Sequence, residues 1–163
     1  MPFQSRLDRM MAGRPAGLVE AVALSRTALR VATLLEQHID AALAPFGLVM
    51  REYLALILIA DDAVEPLRPS DLSTTLDATR TQVTRLLDGL ERKGLAQRSP
   101  STQDRRSLQL ALTPAAKALL KRALPAVHAA YAAAWGTVSA AAKANTLKTL
   151  RRVHEHLAPQ DAE

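Results

Sequence analysis

Hydrogen-bonding side chains concentrate between Thr79 and Arg106, in TRTQVTRLLDGLERKGLAQRSPSTQDRR. At helical spacing Arg80, Thr81, Thr84, Arg85 and Asp88 fall on one side, with Val83, Leu86, Leu87 and Leu90 on the other. Guanidinium, amide and hydroxyl groups are those that pair with base edges, and the major groove of B-form DNA admits one helix. Gln82 stands three residues after Thr79. It serves either as a reader of base edges or as the second half of a capping box. Further on, Asp104-Arg105-Arg106 follows a polar, Pro-containing turn. An arginine there suits a narrow minor groove, whose negative potential is enhanced. Ser70 and Ser73, near a helix start, suit phosphate oxygens, which position a protein without reading sequence. There is no glycine-rich phosphate loop and no serine on a strand-to-helix elbow. The chemistry implied is recognition of double-stranded DNA, with no enzymatic activity, cofactor or metal.

The elements that must hold these groups are legible around them. Pro69-Ser70-Asp71 predicts a helix start, with Ser70 accepting orphan backbone N–H groups and Asp71 in the first turn; Leu72 and Leu76 form its apolar side. Asp77-Ala78 is a tight turn without the glycine often found there, and Thr79 then opens the second helix. Gly94 suits the left-handed position just past a helix end. The period then shifts toward 2: Leu95 to Ser99, the Arg-rich turn, and the strict alternation Ser107-Leu108-Gln109-Leu110-Ala111-Leu112. A helix-turn-helix followed by a two-stranded hairpin is a winged arrangement.

Long amphipathic helices flank this unit. Leu18, Val22, Leu29, Ile39 and Leu43 belong to a stripe ended by Pro45 and Gly47, and Met50 to Ala60 is apolar nearly all round. Thr113-Pro114 starts another helix, which carries Leu120, Leu124, Val127 and Tyr131 and holds Pro125, where a kink is expected. Ser139 caps a last helix with Leu147, Leu150, Val153 and Leu157 along one side. These stripes exceed what one small winged domain can cover, so association of two chains through the terminal helices is expected. The predicted fold is mainly α with a small β-hairpin. Its organisation is a flexible segment 1–17, an N-terminal dimerisation helix 18–48, a winged helix-turn-helix domain 49–118 and C-terminal dimerisation helices 119–163.

Bulk composition agrees. The chain has 163 residues, 48% of them apolar but only 3% aromatic, so its core must be built from aliphatic side chains. Net charge is +5 and the pI about 10.1, which suits a polyanionic partner. The absence of cysteine excludes disulfide scaffolds, thiolate metal sites and a cysteine nucleophile. Arg6, Asp8, Arg9 and Arg14 interrupt every apolar stretch at the start, and the longest apolar run, Leu54 to Ala60, is short for a bilayer. A cytoplasmic protein with no membrane partner is expected.

The segment LLDGLERKGLAQRSPSTQDRRSLQLALT, with FGL at 46–48 and PSDLSTTL at 69–76, resembles the MarR family of bacterial transcriptional regulators over about residues 18 to 157. RPSDLSTTL, ATRTQVTRLLD and the long DRR wing look most like the EmrR-type branch that represses multidrug pumps. The resemblance implies a homodimer of winged-helix subunits on a pseudo-palindromic operator. Thr79 to Lys93 would lie in the major groove with Arg80, Thr81, Gln82, Thr84 and Arg85 as contact residues. Asp104 would hold Arg106 for the minor groove. Gly89 departs from the pattern, standing where relatives often carry a charge.

The resemblance also implies release by a small effector, often a phenolic or aromatic carboxylate. Arg51 and Tyr53, at the start of the second helix, are candidates to meet it, as are His38 and His128. For all four, packing or plain surface is the competing reading. His154-Glu155-His156 is no metal site, because residues two apart on a helix do not share a face. A sequence-tolerant architectural DNA-binding protein is the rival function; it explains the basic charge but not Thr and Gln set beside Arg.

Overall fold

The computed structural model describes residues 10–60, 67–100 and 108–158. Contacts divide the chain into two compact units, Met1–His38 and Ile39–Glu163. The elements are α1 (Ala16–Leu43), a short 3-10 turn (Ala44–Phe46), α2 (Met50–Ala60), α3 (Pro69–Thr75), α4 (Arg80–Arg92), β1 (Ala96–Pro100), β2 (Leu108–Leu112), α5 (Pro114–Ala134) and α6 (Ala140–Leu157). The mainly α class with one hairpin is thus observed, in the predicted order.

The second unit holds one aliphatic core. Ile39, Leu43, Leu56, Leu72, Val83, Leu87, Leu90 and Val127 are its largest fully buried side chains. α2 is central: it packs on α4, α5 and β2, while α3 packs on α4 and β2. Its near-continuous apolar sequence follows from having neighbours on most sides. α5 runs unbroken through Pro125, although that residue has no N–H to give to the preceding turn. It presents Ala116, Leu120, Ala123, Val127 and Ala130 to the core, the 3–4 spacing of one helix face.

Helix ends are set as the local chemistry requires. Thr113 Oγ1 accepts from Ala116 N at 3.1 Å and Ser139 Oγ from Ala142 N at 3.3 Å, so both predicted caps form. Gly47 and Gly94 take left-handed φ values of 67° and 66°, where a side chain would be strained.

Two surfaces keep their apolar side chains outward. In the first unit Leu18, Leu24, Leu29 and Leu34 of α1 are exposed. In the second, α6 buries no residue and leaves Leu147, Leu150, Val153 and Leu157 exposed. Among the described residues no single helix is long and apolar enough to cross a membrane.

Candidate nucleic-acid interface

α4 is the element that carries the candidate reading residues, and three features fix it. Its own start is reciprocal: Gln82 N donates to Thr79 Oγ1 at 3.3 Å, and Thr79 N donates to Gln82 Oε1 at 2.8 Å. Gln82 is therefore engaged as a cap, one of the two roles left open by its position. Its buried side, Val83, Leu87 and Leu90, sits in the core. Its end turns at Gly94 through buried Leu95 into β1, whose Ala96 is also buried.

The turn ahead of α4 shows how a helix-turn-helix forms without glycine. Asp77 takes φ +45°, a left-handed conformation that Asp tolerates better than most side chains. α3 begins two residues earlier than predicted from a Ser70 cap. Arg68 is its N-cap and Pro69 its first residue, and Asp71 Oδ2 accepts from Arg68 N at 2.8 Å. Ser70 is therefore not the cap. Its hydroxyl sits in the first turn, 3.3 Å from Asp71 Oδ1, because proline preorganises the start and the carboxylate has taken the capping role.

With α3 and α4 so set, Arg80, Thr81, Thr84 and Arg85 are exposed on the outer face of α4. Neither arginine forms an ion pair with any described residue. Two clefts flank the helix. One, of about 200 Å³, is lined by Pro69, Ser70, Ser73, Arg80, Val83 and Thr84. It brings the serines predicted for phosphate to the side chains predicted for bases. The other, of about 330 Å³, is lined by Val49, Arg51, Glu52, Leu76, Ala78, Gln82, Arg85 and Leu86. It gathers Arg51 with three α4 residues, Gln82, Arg85 and Leu86, around an apolar floor.

The other effector candidates do not meet there. Tyr53 is buried, and its phenol is pushed above 10.0, by burial first and by Tyr131 second. His128 is exposed on α5, and neither residue lines the Arg51 groove. His38 is exposed and belongs to the first unit. Asp104, Arg105 and Arg106 lie outside the described residues.

Two ionic ties escaped sequence reasoning. Lys93 at the end of α4 bonds Glu52 Oε1 and Oε2 at 2.8 and 2.7 Å and Gly47 O at 2.8 Å. Arg98 of β1 bonds Asp88 of α4 at 2.7 Å. The only signal for the second was an arginine on the strand face that otherwise alternates inward. Gly89 faces α2: a Cβ there would lie 3.9 Å from Glu52 Oε1, an ordinary contact.

The hairpin completes the wing. β1 and β2 pair antiparallel with Arg98 opposite Leu110. Both turn their N–H groups outward, Arg98 N to Glu91 Oε1 at 3.0 Å and Leu110 N to Leu67 O at 3.0 Å, as a non-hydrogen-bonded antiparallel pair must. One edge of the wing is thus fastened to α4 and the other to the segment before α3.

Comparison with known proteins agrees with this geometry. Residues 48–108 match the model of the MarR family. The chain is 28% identical over 138 residues to the transcriptional repressor MprA of Escherichia coli K12, covering 85% of this chain and 78% of that one. Its fold is similar to Sco3205, a MarR family transcriptional regulator from Streptomyces coelicolor solved in complex with DNA. The TM-score is 0.80 and the identity 26%, covering 89% of this chain and 92% of that one. It is also similar to CouR from Rhodococcus jostii RHA1, solved with p-coumaroyl-CoA, at TM-score 0.72 and 24% identity over 86% and 95% of the two chains. A capped recognition helix, a fastened two-stranded wing and these likenesses in sequence and fold lead to one conclusion: the chain belongs to the MarR family of transcriptional regulators.

Proposed function

We propose that the protein is a homodimeric, sequence-specific DNA-binding repressor that a small aromatic or phenolic ligand releases from a pseudo-palindromic operator. The observation carrying this reading is the outer face of α4, where Arg80, Thr81, Thr84 and Arg85 stand exposed over a buried apolar side. Arginine reads guanine through two acceptors at once, and threonine pairs with bases or packs on the thymine methyl group. Ser70 and Ser73, beside Arg80 in one cleft, are assigned to phosphates. Gln82 reaches the DNA only to the extent its capping role leaves it free. From the sequence resemblance, Arg106 is assigned to the minor groove with Asp104 holding its guanidinium, and Arg105 to DNA beside them.

A second copy is the natural cover for α6 and the exposed side of α1, with the 18–48 and 119–163 segments forming the dimer and 49–118 the DNA-binding domain. Apolar stripes on two helices are worth about 25 cal/mol per Å² when covered. Operator release then requires a ligand that prefers a dimer whose recognition helices no longer match successive major grooves about 34–36 Å apart. CouR's p-coumaroyl-CoA is a phenolic ligand and makes that class the one to try first. Arg51, in a groove with an apolar floor, has the charge and setting to pair with a carboxylate; Tyr53, His38 and His128 remain the other candidates. The setting of action is the cytoplasm, where the operator is.

The test is a competition titration of the purified protein against its own upstream intergenic DNA and random duplex at moderate salt. A specific repressor discriminates by about 10³ or more. Equal affinity for both would instead indicate an architectural DNA-binding protein.

A further inference from the structure

α4 carries two acids among its DNA-facing cations. Thr81, Thr84, Arg85 and Asp88 recur at the 3–4 spacing of a single helix face, so Asp88 follows the reading residues along the surface they present. Glu91 lies one turn on. Unpaired carboxylates there would oppose phosphates. Both are met from the wing. Arg98 Nη2 donates to Asp88 Oδ1 at 2.7 Å and to Thr84 O at 3.3 Å; its Nη1 lies 3.5 Å from Glu91 Oε2. The strand backbone joins in through Arg98 N and Glu91 Oε1 at 3.0 Å.

The position of Arg98 in the strand is itself unexpected. Directly opposed strand residues share a face, and Arg98 opposes Leu110 just as Ala96 opposes Leu112. Ala96 and Leu110 are buried, so Arg98 occupies an inward site where an aliphatic side chain would cost less. Its side chain is only 23% exposed. Such a site is occupied by a planar, multiply donating cation when its hydrogen bonds are needed.

We infer that Arg98 is a positioning residue for operator recognition: it neutralises Asp88 and Glu91 on the reading helix and locks the wing to that helix as one body. It touches no base under this assignment. The inference rests on the DNA-binding reading above, and it predicts a rescue that neither a direct DNA contact nor a general stabilising role would produce.

The experiment uses the full chain and the duplex that the wild type selects from a random library, with affinity read by fluorescence anisotropy and folding by thermal melting. Arg98→Gln should bind roughly tenfold or more weakly, the scale of an uncompensated like charge at an interface. Adding Asp88→Asn to Arg98→Gln should recover most of that loss. Arg98→Lys, which keeps the charge but not the fork, should fall between; it carries the same rescue test if Arg98→Gln fails to fold. Affinity of Arg98→Gln within twofold of wild type would overturn the inference, and so would a loss that Asp88→Asn leaves in place or deepens. A wild type that selects no duplex would overturn the DNA-binding reading itself, and this inference with it.

Discussion

Lys93 closes α4 onto the start of α2 by giving its ammonium to Glu52 at 2.7 Å, across 41 positions of sequence. The two partners are unequal: the Glu52 side chain is 12% exposed and that of Lys93 41%. Glu52 also accepts from Val49 N at 3.2 Å, so this carboxylate joins the start of α2 to the end of α4.

That inequality sets the first prediction. Lys93→Met leaves a largely buried carboxylate without its cation and should cost about 1–3 kcal/mol, the range for an unsatisfied buried group. Glu52→Gln should cost less, because the amide oxygen still accepts from Lys93 or Val49. Urea denaturation of the two variants checks the order, and a Glu52→Gln loss larger than that of Lys93→Met would refute the argument.

Backbone conformation yields a second pair of expectations. A Cβ at Gly89 meets only ordinary contacts, 3.9 Å from Glu52 Oε1 and 4.0 Å from Arg92 Nη2, so Gly89→Ala should stabilise α4 by about 1 kcal/mol. Asp77→Gly should be neutral or slightly stabilising at φ +45°, whereas Asp77→Val should destabilise by about 1–2 kcal/mol. Melting temperatures moving the opposite way for Gly89→Ala would show that the site lacks the room inferred.

Capping at Thr79 ties stability to recognition. Thr79→Ala removes the acceptor for Gln82 N and should cost about 1 kcal/mol. Gln82→Ala removes the other half, and the double variant should lose less than the sum, since the two bonds support one another. If Gln82 also reads bases, Gln82→Ala will change operator preference in a selection experiment while Thr79→Ala changes affinity alone. Identical preference in both variants assigns Gln82 to the cap.

Tyr53 predicts an alkaline limit. Its folded phenol titrates above the unfolded value of 10.0 because burial disfavours the phenolate, with Tyr131 adding to the effect. A raised folded pKa means the stabilisation is fully present below about pH 10 and is lost as pH rises through the folded value. Tyr53→Phe should therefore flatten the fall in stability above pH 10 with little change near pH 7. An unchanged alkaline slope would place the loss elsewhere.

Much of this architecture was legible in the residues because its causes are local. Thr79 with Gln82, Thr113 with Pro114, Ser139 and Gly94 act within one turn of chain, and the sequence alone marks their helix boundaries. The shift from a 3.6 to a 2.0 period did the same for the hairpin, and the 3–4 spacing of Arg80, Thr81, Thr84 and Arg85 assigned them to one outer face. Ser70 misled because capping there is a competition, and Pro69 and Asp71 decide it for Arg68.

What only the tertiary structure decided lies between elements. Whether Asp88 and Glu91 stand unpaired on α4 depends on Arg98 arriving from β1. The engagement of Glu52 depends on Lys93 returning to α2, and whether Arg51 and Tyr53 share a pocket depends on which way each leaves its helix. Arg51 goes to a groove beside Arg85 and Tyr53 goes to the core. Electrostatic pairing falls off over a few ångströms of space, and spacing along the chain carries no record of those distances.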